Sequence, residues 1–225
     1  MSKHEHGEIS RRNFAKRSAA VASFAALTAK SAKAQTNGET ITIGLIGCGG
    51  RGGGAVVNCL DGNDNVKLVA MADAFEDRLK GKHAELKKHE RVDVDPDMMF
   101  VGMDAYQKLL ATDVDMIIHG TPPYARPMHI EAAVDAGKHI FTEKPVAVDP
   151  VGIRQFIRAA KKAEKKKLSF VTGTQRRHQK PYLETIEKIA DGAIGEVLAA
   201  RAYWCGSLPF AHERKPGWSD LEYQL

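Results

Sequence analysis

The sequence ITIGLIGCGGRG at residues 41–52 decides the fold of this chain. It begins with an apolar strand pattern over residues 41–46 and continues into a loop whose glycines stand in G-x-G-x-x-G spacing at Gly47, Gly49 and Gly52. The first glycine permits a tight turn, the second permits close approach to a pyrophosphate, and the third lets the next helix pack on the sheet. The N-terminus of that helix then faces the anion. The pattern predicts a dinucleotide-binding loop.

The whole loop is predicted to contact the cofactor. Its residues are Gly47, Cys48, Gly49, Gly50, Arg51 and Gly52. A helix is predicted over residues 55–60, and a second apolar strand over residues 66–72 ends on Asp73. A carboxylate at the end of the second strand is suited to hold the adenine ribose hydroxyls, and it repels a 2′-phosphate. We therefore expect NAD to be the cofactor and NADP to bind less well.

The positive charge of the chain is concentrated at its N-terminus. The formal net charge is +5 over 225 residues, and residues 1–34 alone contain seven Lys/Arg and two Asp/Glu. This leaves 26 of the 33 basic and 26 of the 28 acidic residues, so the remainder carries no net charge. We therefore expect no nucleic-acid partner. The three cysteines lack metal-ligand spacing and predict neither a disulfide framework nor a metal site.

Residues 1–34 are predicted to be a twin-arginine signal peptide. The sequence SRRNFAK at residues 10–16 resembles the export motif S-R-R-x-F-L-K, and residues 32–34 have the A-x-A form of a cleavage site. The apolar stretch between them, residues 18–29, is too short to span a membrane. We expect a periplasmic or otherwise exported protein without a stable membrane anchor. The alternative is an amphipathic N-terminal helix.

Strand and helix patterns alternate over residues 40–165. Further strands are predicted at residues 98–101, 114–119 and 139–142, and helices at residues 76–90, 105–110, 129–136 and from Pro150 onward. The alternation predicts an α/β fold of Rossmann type, a doubly wound parallel sheet with helices on both faces. On the last helix, Ile153, Phe156, Ile157 and Ala160 are predicted to face the core.

Functional groups are expected at the carboxyl ends of the strands, where open α/β sheets bind ligands. Besides Asp73, two such ends stand out: Thr121-Pro122-Pro123 and Glu143-Lys144-Pro145. Glu143 and Lys144 are consecutive and cannot both point into the core, so one of them should face a crevice. If such a lysine is partly desolvated beside the cationic nicotinamide ring of NAD, its pKa is lowered toward the working range. It can then exchange a proton with a substrate hydroxyl. A surface ion pair on a turn is the alternative.

Taken together, these motifs resemble the glucose–fructose oxidoreductase/inositol dehydrogenase family (Gfo/Idh/MocA). The shared series is T-P-x at Thr121, then His129, then A-x-x-x-G-K-H-x-x-x-E-K-P ending at Pro145, and the resemblance covers residues 40–205. It implies hydride transfer between nicotinamide and a sugar or polyol hydroxyl. It further implies that Lys144 is the catalytic acid/base and that the Lys144–Pro145 peptide bond is cis.

The resemblance also implies roles for residues around the lysine. Glu143 is expected near the nicotinamide ribose, Thr121 and Pro122 are expected to line the cofactor, and Gln175 and Arg176 are expected to begin the substrate side. His129 is expected to orient the loop rather than to react. An NAD-dependent glycosidase of the same family is an alternative, because some relatives oxidise and re-reduce their substrate.

Family members have a second, α+β domain that forms the substrate wall and the oligomer interface. Residues 166–225 are predicted to be the truncated start of that domain, with one strand over residues 197–203. We therefore expect the 225-residue chain to be incomplete and the full-length form to be a homo-oligomer. A catalytically incomplete nucleotide-binding fragment is a further alternative.

Overall fold

The computed structural model describes residues 39–203, 205–206 and 213–224. The predicted signal peptide lies outside the described residues and stays a prediction. The elements follow one another as β1 (Ile41–Ile46), α1 (Gly50–Gly62), β2 (Val66–Asp73), α2 (Glu76–Leu86), a 3₁₀ turn (Pro96–Met98), β3 (Met99–Val101), α3 (Ala105–Leu110), β4 (Met116–His119), α4 (Arg126–Asp135), β5 (His139–Glu143), α5 (Pro150–Lys165), β6 (Phe170–Gly173), a 3₁₀ turn (Gln175–Arg177), α6 (Lys180–Ala190) and α7 (Asp220–Gln224).

The six strands form one sheet in the order β3-β2-β1-β4-β5-β6. Every neighbouring pair is parallel. The chain therefore builds one half of the sheet outward from β1 and the other half outward from β4. Strand β6 was not predicted, and it extends the sheet past residue 165, where the sequence pattern placed the end of the Rossmann domain. Where the order changes direction, between β1 and β4, a crevice opens at the carboxyl ends of the strands.

Two apolar clusters pack on the two faces of the sheet. Helices α1 and α2 cover Ile43 and Leu45, whereas α3, α4 and α5 cover Ile46, Ile117 and Ile140. All five side chains are at most 2 % exposed. Strands that are buried on both faces are nearly continuous apolar runs, which is why the sequence located them well.

Helix α1 is longer than predicted. It starts at Gly50, five residues before the predicted start, and runs to Gly62. The glycines at its beginning have low helix propensity, so the local pattern hides the first turn. They are required by packing, because a Cβ on Gly52 would lie 2.2 Å from the backbone oxygen of Gly47.

Other element boundaries differ from the prediction by smaller amounts. Helix α2 ends at Leu86 rather than at residue 90, and α4 starts at Arg126 rather than at residue 129. Strand β3 starts at Met99 and β4 at Met116, one and two residues later than predicted. Polar and charged residues continue the helical sequence pattern past the end of α2. At α4, Pro127 suggested a later start, although proline is well accommodated in the first turn of a helix.

Two predicted helix ends are confirmed. Gly137 follows α4 with a φ of +74°, a left-handed conformation that favours glycine. At the start of α5, the Asp149 carboxylate accepts a hydrogen bond of 2.7 Å from the backbone N–H of Gly152. These signals are local, so they need no tertiary context to be read.

The predicted inner face of α5 is partly wrong. Phe156 is buried, but Ile153 is 37 % exposed and Ile157 is 48 % exposed. The helix turns Phe156, Ala159 and Ala163 toward the core instead. Apolar residues lie on two sides of this helix, and the sheet and α4 pack against only one of them.

The segment after β6 contributes no core. The predicted strand over residues 197–203 is not present: these residues have no regular structure, and Leu198 is 86 % exposed. An isolated strand has no stabilising partner, and none of the described residues pairs with it. Helix α6 has no buried residue. In the described part of the chain, no helix is both long and apolar enough to cross a membrane.

Candidate dinucleotide site

The glycine loop is held tightly on one side and is open on the other. Gly47 has a φ of +91°, and a Cβ there would lie 2.6 Å from the backbone nitrogen of Thr121. Its own N–H donates a hydrogen bond of 2.9 Å to the carbonyl of Ala72. In contrast, a Cβ on Gly49 or Gly50 would meet no atom within 4 Å. A ligand can therefore approach the backbone of these two glycines closely.

The N-terminus of α1 is suited to an anion. Gly49 is its N-cap and offers no side chain to the first backbone N–H groups of the helix, and no acidic residue lies in the first turn. These N–H groups and the helix dipole together favour negative charge. The residues present therefore fit the pyrophosphate of a dinucleotide.

Asp73 is fixed beside the loop, as the sequence predicts for an acid at the end of β2. Its Oδ2 accepts a hydrogen bond of 2.7 Å from the backbone N–H of Cys48, and its Oδ1 accepts one of 2.9 Å from Phe75. An ionised carboxylate oxygen accepts more than one hydrogen bond. The Asp73 carboxylate therefore retains capacity for ribose hydroxyls while it is held in place by the backbone.

Cys48 serves the loop through its backbone. Its side chain is 2 % exposed and its Sγ lies 3.6 Å from the carbonyl oxygen of Ala72. Burial, and to a smaller extent the neighbouring Asp73 carboxylate, raise the pKa of the thiol. A buried thiol of this kind is a packing group rather than a nucleophile.

A cleft of about 410 Å³ joins the carboxyl ends of β1, β2 and β4. This volume is in the range of small-molecule sites. The predicted site residues among its lining are Gly47, Gly49, Asp73, Thr121 and Pro122. Aromatic and basic side chains that the sequence did not single out also line it, among them Phe75, Arg78, Tyr106, Tyr124 and Arg126.

The Thr121 loop rests on two buried histidines. His119 has no exposed surface, and its Nε2 lies 2.9 Å from Thr121 Oγ1 and 3.2 Å from His129 Nδ1. Its Nδ1 lies 3.2 Å from Thr142 Oγ1, at the end of β5. The His129 ring stacks on Tyr106 with 3.9 Å between ring centroids. His129 thus contacts the loop through His119.

Both histidines are neutral at physiological pH. Burial lowers the pKa of His129 to about 4. Burial, followed by the nearby His129 and Arg126, lowers the pKa of His119 well below its usual value. A neutral pair can share hydrogen bonds within the network without placing two charges in the core.

Glu143 is the buried member of the Glu-Lys pair. It is 1 % exposed, and its Oε1 accepts hydrogen bonds from Arg51, 2.8 Å from Nε and 2.7 Å from Nη2. A Cβ on Gly173 of the neighbouring strand would lie 2.7 Å from the same Oε1. Glu143 Oε2 is buried and has no hydrogen-bond partner in the described structure. Such an orphaned acceptor fits a donor supplied by a ligand, for example a ribose hydroxyl.

Lys144 points away from the core, so the pair divides as the sequence predicts. The Lys144–Pro145 peptide bond is cis. Lys144 itself is exposed, whereas the sequence argument expected a partly desolvated crevice. A strand end desolvates a side chain only if another element packs over it, and within the described ranges none covers Lys144.

Gln175 and Arg176 lie in the 3₁₀ turn that follows β6 and are both exposed. The Arg176 guanidinium lies 5.2 Å from the centroid of the Tyr182 ring and contacts Gln179. Because Gly173 of β6 pairs with Glu143 of β5, this turn follows the strand next to Lys144. The two residues thus share the sheet edge with the lysine, on the side away from the cleft.

The role of Arg126, the first residue of α4, was not predicted from the sequence. It is 5 % exposed, and its Nε donates a hydrogen bond of 2.9 Å to the carbonyl of Thr121. Its Nη1 donates to the carbonyl of Pro145. From the sequence, a charged residue that follows the T-P loop is expected to be exposed at the start of a helix. Only the tertiary structure shows that Arg126 is buried. Among the described residues, no group of three His, Cys, Asp or Glu could hold a metal ion.

Comparison with known families decides the assignment. The model of an oxidoreductase family with an NAD-binding Rossmann fold, Gfo/Idh/MocA, matches residues 41–171. The chain belongs to the Gfo/Idh/MocA family. The matched range contains the glycine loop, the Thr121 loop, His129 and Glu143-Lys144-Pro145, which are among the motifs that carried the resemblance, and it also contains Asp73.

Several relatives within this family are inositol dehydrogenases. The chain is 30 % identical over 158 residues to inositol 2-dehydrogenase from Rhizobium meliloti, which covers 70 % of the chain and 43 % of that protein. A structure of scyllo-inositol dehydrogenase from Lactobacillus casei with bound NAD(H) and scyllo-inositol superposes with a TM-score of 0.57 at 26 % identity, covering 70 % of this chain and 43 % of that one. The chain thus spans less than half the length of these relatives.

A relative of another kind matches over a shorter range. A glycosyl hydrolase family 109 protein from Solibacter usitatus is 33 % identical over 110 residues, which is 48 % of this chain and 25 % of that protein. A glycosyl hydrolase family 109 protein from Shewanella is 28 % identical over 173 residues, which is 76 % of this chain and 36 % of that protein. The matches therefore include both of the activities that the sequence left open.

Proposed function

We propose that this Gfo/Idh/MocA protein is an NAD-dependent oxidoreductase that acts on a hydroxyl group of a sugar or polyol. The observation that carries the proposal is the junction of Asp73 with the glycine loop. Its carboxylate is bonded to the backbone N–H of Cys48 while Gly49 and Gly50 remain open to a ligand. This arrangement offers donors to a pyrophosphate and an acceptor to the adenine ribose at adjacent positions.

The groups at the carboxyl ends of the strands have separate tasks in this proposal. The N-terminus of α1 binds the pyrophosphate, and Asp73 accepts hydrogen bonds from the ribose and repels a 2′-phosphate. Glu143 Oε2 accepts a hydrogen bond from the nicotinamide half, since it is buried without a donor. Bound NAD supplies the hydride acceptor. Lys144 Nζ holds or releases the proton of the substrate hydroxyl.

Support for a sugar or polyol substrate comes from the relatives. The proteins named above are inositol dehydrogenases, and one structure contains scyllo-inositol. Exposed Lys144, with Gln175 and Arg176 after the neighbouring strand, offers hydrogen-bonding groups suited to a polyhydroxylated ring. A redox-assisted glycosidase has less support, because the glycosyl hydrolase family 109 relatives are matched over 25–36 % of their own length, against 43 % for the Rhizobium meliloti inositol dehydrogenase.

The proposal also includes export and self-association. The SRRNFAK sequence and the A-x-A site of residues 1–34 support transport through the twin-arginine machinery. Replacing Arg11 and Arg12 by lysine should stop export of a fused reporter, since the lysine pair keeps the charge but not the guanidinium groups. Export that continues unchanged would contradict this part. Self-association into a homo-oligomer is tested by sedimentation.

Turnover tests the proposed reaction. In a form of the protein that reduces NAD with a polyol, Lys144→Ala should lower kcat by about 10²–10⁴-fold, the usual loss of a general acid/base. The NAD dissociation constant should change less than about twofold, because pyrophosphate and ribose contacts lie elsewhere. Lys138→Ala is the control, since this lysine bonds the carbonyl of Thr112 away from the cleft. Equal kcat values for the Lys144→Ala variant and the wild type would overturn the role of Lys144.

A further inference from the structure

Arg126 is a buried cation without a carboxylate partner in the described structure. It is 5 % exposed, and the hydrogen bonds of its guanidinium go to two backbone carbonyls, those of Thr121 and Pro145. Burying a charge is costly unless it is well hydrogen-bonded. Burial accordingly lowers the pKa of Arg126, and Glu143 opposes this effect at longer range. A residue that carries this cost has a role that a neutral side chain does not fulfil as well.

The two carbonyls belong to the two segments that carry the proposed chemistry. Thr121 lies in the loop that lines the cleft after β4, and Pro145 lies in the turn after β5, directly behind Lys144. The main-chain pairing of β4 with β5 ends at His119 and Thr142. Beyond that point, Arg126 is a side-chain connection between the loop and the turn.

We propose that Arg126 is a positioning residue that sets the distance between the Thr121 loop and the Lys144 turn. This inference rests on the proposed function, in which the cofactor lies along the loop and the proton-transferring amine lies on the turn. The guanidinium is planar and rigid, so donors from one group reach two carbonyls at a fixed spacing. A lysine keeps the charge but lacks this fixed fork.

The geometry separates this role from general electrostatic attraction. If Arg126 acted only as a positive charge near an anionic cofactor, Arg126→Lys would behave like the wild type. If it acts by joining two carbonyls, Arg126→Lys and Arg126→Met should weaken NAD binding to the same extent. Arg158→Met is the matched control. It makes the same substitution at an exposed arginine on α5, outside the cleft.

The first experiment is calorimetry of the 225-residue chain with two probes, NAD and ADP-ribose. ADP-ribose contains the adenosine, the pyrophosphate and the second ribose but lacks the nicotinamide that must meet the Lys144 turn. We expect Arg126→Met and Arg126→Lys to weaken NAD binding about tenfold, the effect of about 1.4 kcal/mol. ADP-ribose binding should change less than about twofold, and Arg158→Met should change neither. Wild-type NAD affinity in Arg126→Lys, or equal losses of NAD and ADP-ribose, would overturn the proposal.

The second experiment needs no cofactor. In a ¹⁵N-labelled chain, the Nε–H of Arg126 should give a slowly exchanging NMR signal that disappears in both variants. The backbone signals of Thr121 and Val146 should shift together in both variants, because each adjoins one end of the bridge. Shifts at only one end, or at neither, would show that Arg126 does not join the two segments. If the wild type binds neither NAD nor ADP-ribose, the proposed function fails, and this measurement alone decides the role of Arg126.

Discussion

The sheet and the segment that follows it have similar apolar patterns but opposite burial. Every fully buried apolar side chain in the described ranges lies between Ile43 and Ala163. Helix α6 is as clearly amphipathic as the helices that cover the sheet, yet Leu183 and Ile186 are more than half exposed. Amphipathicity therefore predicts that a helix forms, and only a partner surface decides that it contributes to stability.

This contrast also separates the two halves of the proposed active site. The cofactor half is built within the sheet, where Gly47, Asp73 and Glu143 are fixed by backbone and side-chain contacts. The substrate half consists of exposed Lys144 and the turn around Gln175. In the proposed function the first half holds the cofactor through contacts within the sheet, whereas the second half is exposed to solvent in the described structure.

The largest expected effect distinguishes the two regions by stability. Ile130 of α4 has no exposed surface, whereas Ile186 of α6 is 63 % exposed. Ile130→Ala should lower the free energy of unfolding by about 2–5 kcal/mol, since it leaves a cavity. Ile186→Ala should change it by less than about 0.5 kcal/mol. Denaturant unfolding of both variants measures the difference, and a loss above about 2 kcal/mol for Ile186→Ala would remove the contrast.

A second difference should appear in the pH dependence of stability. The pKa of His129 is about 4 in the folded chain, below its usual value of 6.5. As the pH falls, the unfolded chain therefore takes up a proton before the folded chain does. The contribution of neutral His129 to the free energy of unfolding is full above pH 6.5 and falls as the pH drops toward 4. The difference corresponds to about 3 kcal/mol. Across this pH range, the free energy of unfolding should depend less steeply on pH for His129→Gln than for the wild type.

The control for this pH effect lies in the exposed segment. His178 is exposed after the 3₁₀ turn, so His178→Gln makes the same substitution outside the buried network. Carboxylates titrate in the same range, so the comparison between the two variants carries the result. Identical profiles for His129→Gln and the wild type would show that the buried pair does not stay neutral.

A third comparison lies within helix α1 and its cap. Neither Gly49 nor Gly54 has an atom within 4 Å of a Cβ, but only Gly49 lines the cleft. Gly49→Ala should weaken NAD binding by more than about tenfold, or 1.4 kcal/mol, with little change in unfolding. Gly54→Ala should raise stability by about 0.5–1 kcal/mol and leave binding unchanged. Calorimetry measures the NAD affinity and thermal unfolding measures the stability. An unaltered NAD affinity in Gly49→Ala would show that the pyrophosphate does not bind at this loop.

The sequence predicted five of the six strands, because parallel strands buried on both faces are local apolar runs. Strand β6 (Phe170–Gly173) was not predicted. Asp73, Thr121 and Lys144 followed from their positions at strand ends. Arg126 and the hydrogen bond between His119 and Thr121 were not predicted, because both are contacts between elements. The exposed side of α5 and the absent strand over residues 197–203 were mispredicted for the same reason: local patterns do not show whether a partner is present.

The junction of Asp73 with the glycine loop is the structural basis of the proposed NAD binding. Calorimetry of the 225-residue chain with NAD and with NADP tests it, alongside Asp73→Ser. We expect the wild type to bind NAD more tightly than NADP, because the carboxylate accepts ribose hydroxyls and repels a 2′-phosphate. Asp73→Ser should narrow the difference by weakening NAD and strengthening NADP. Equal binding of the two cofactors by the wild type, or an unchanged ratio in Asp73→Ser, would contradict the placement of the ribose at Asp73.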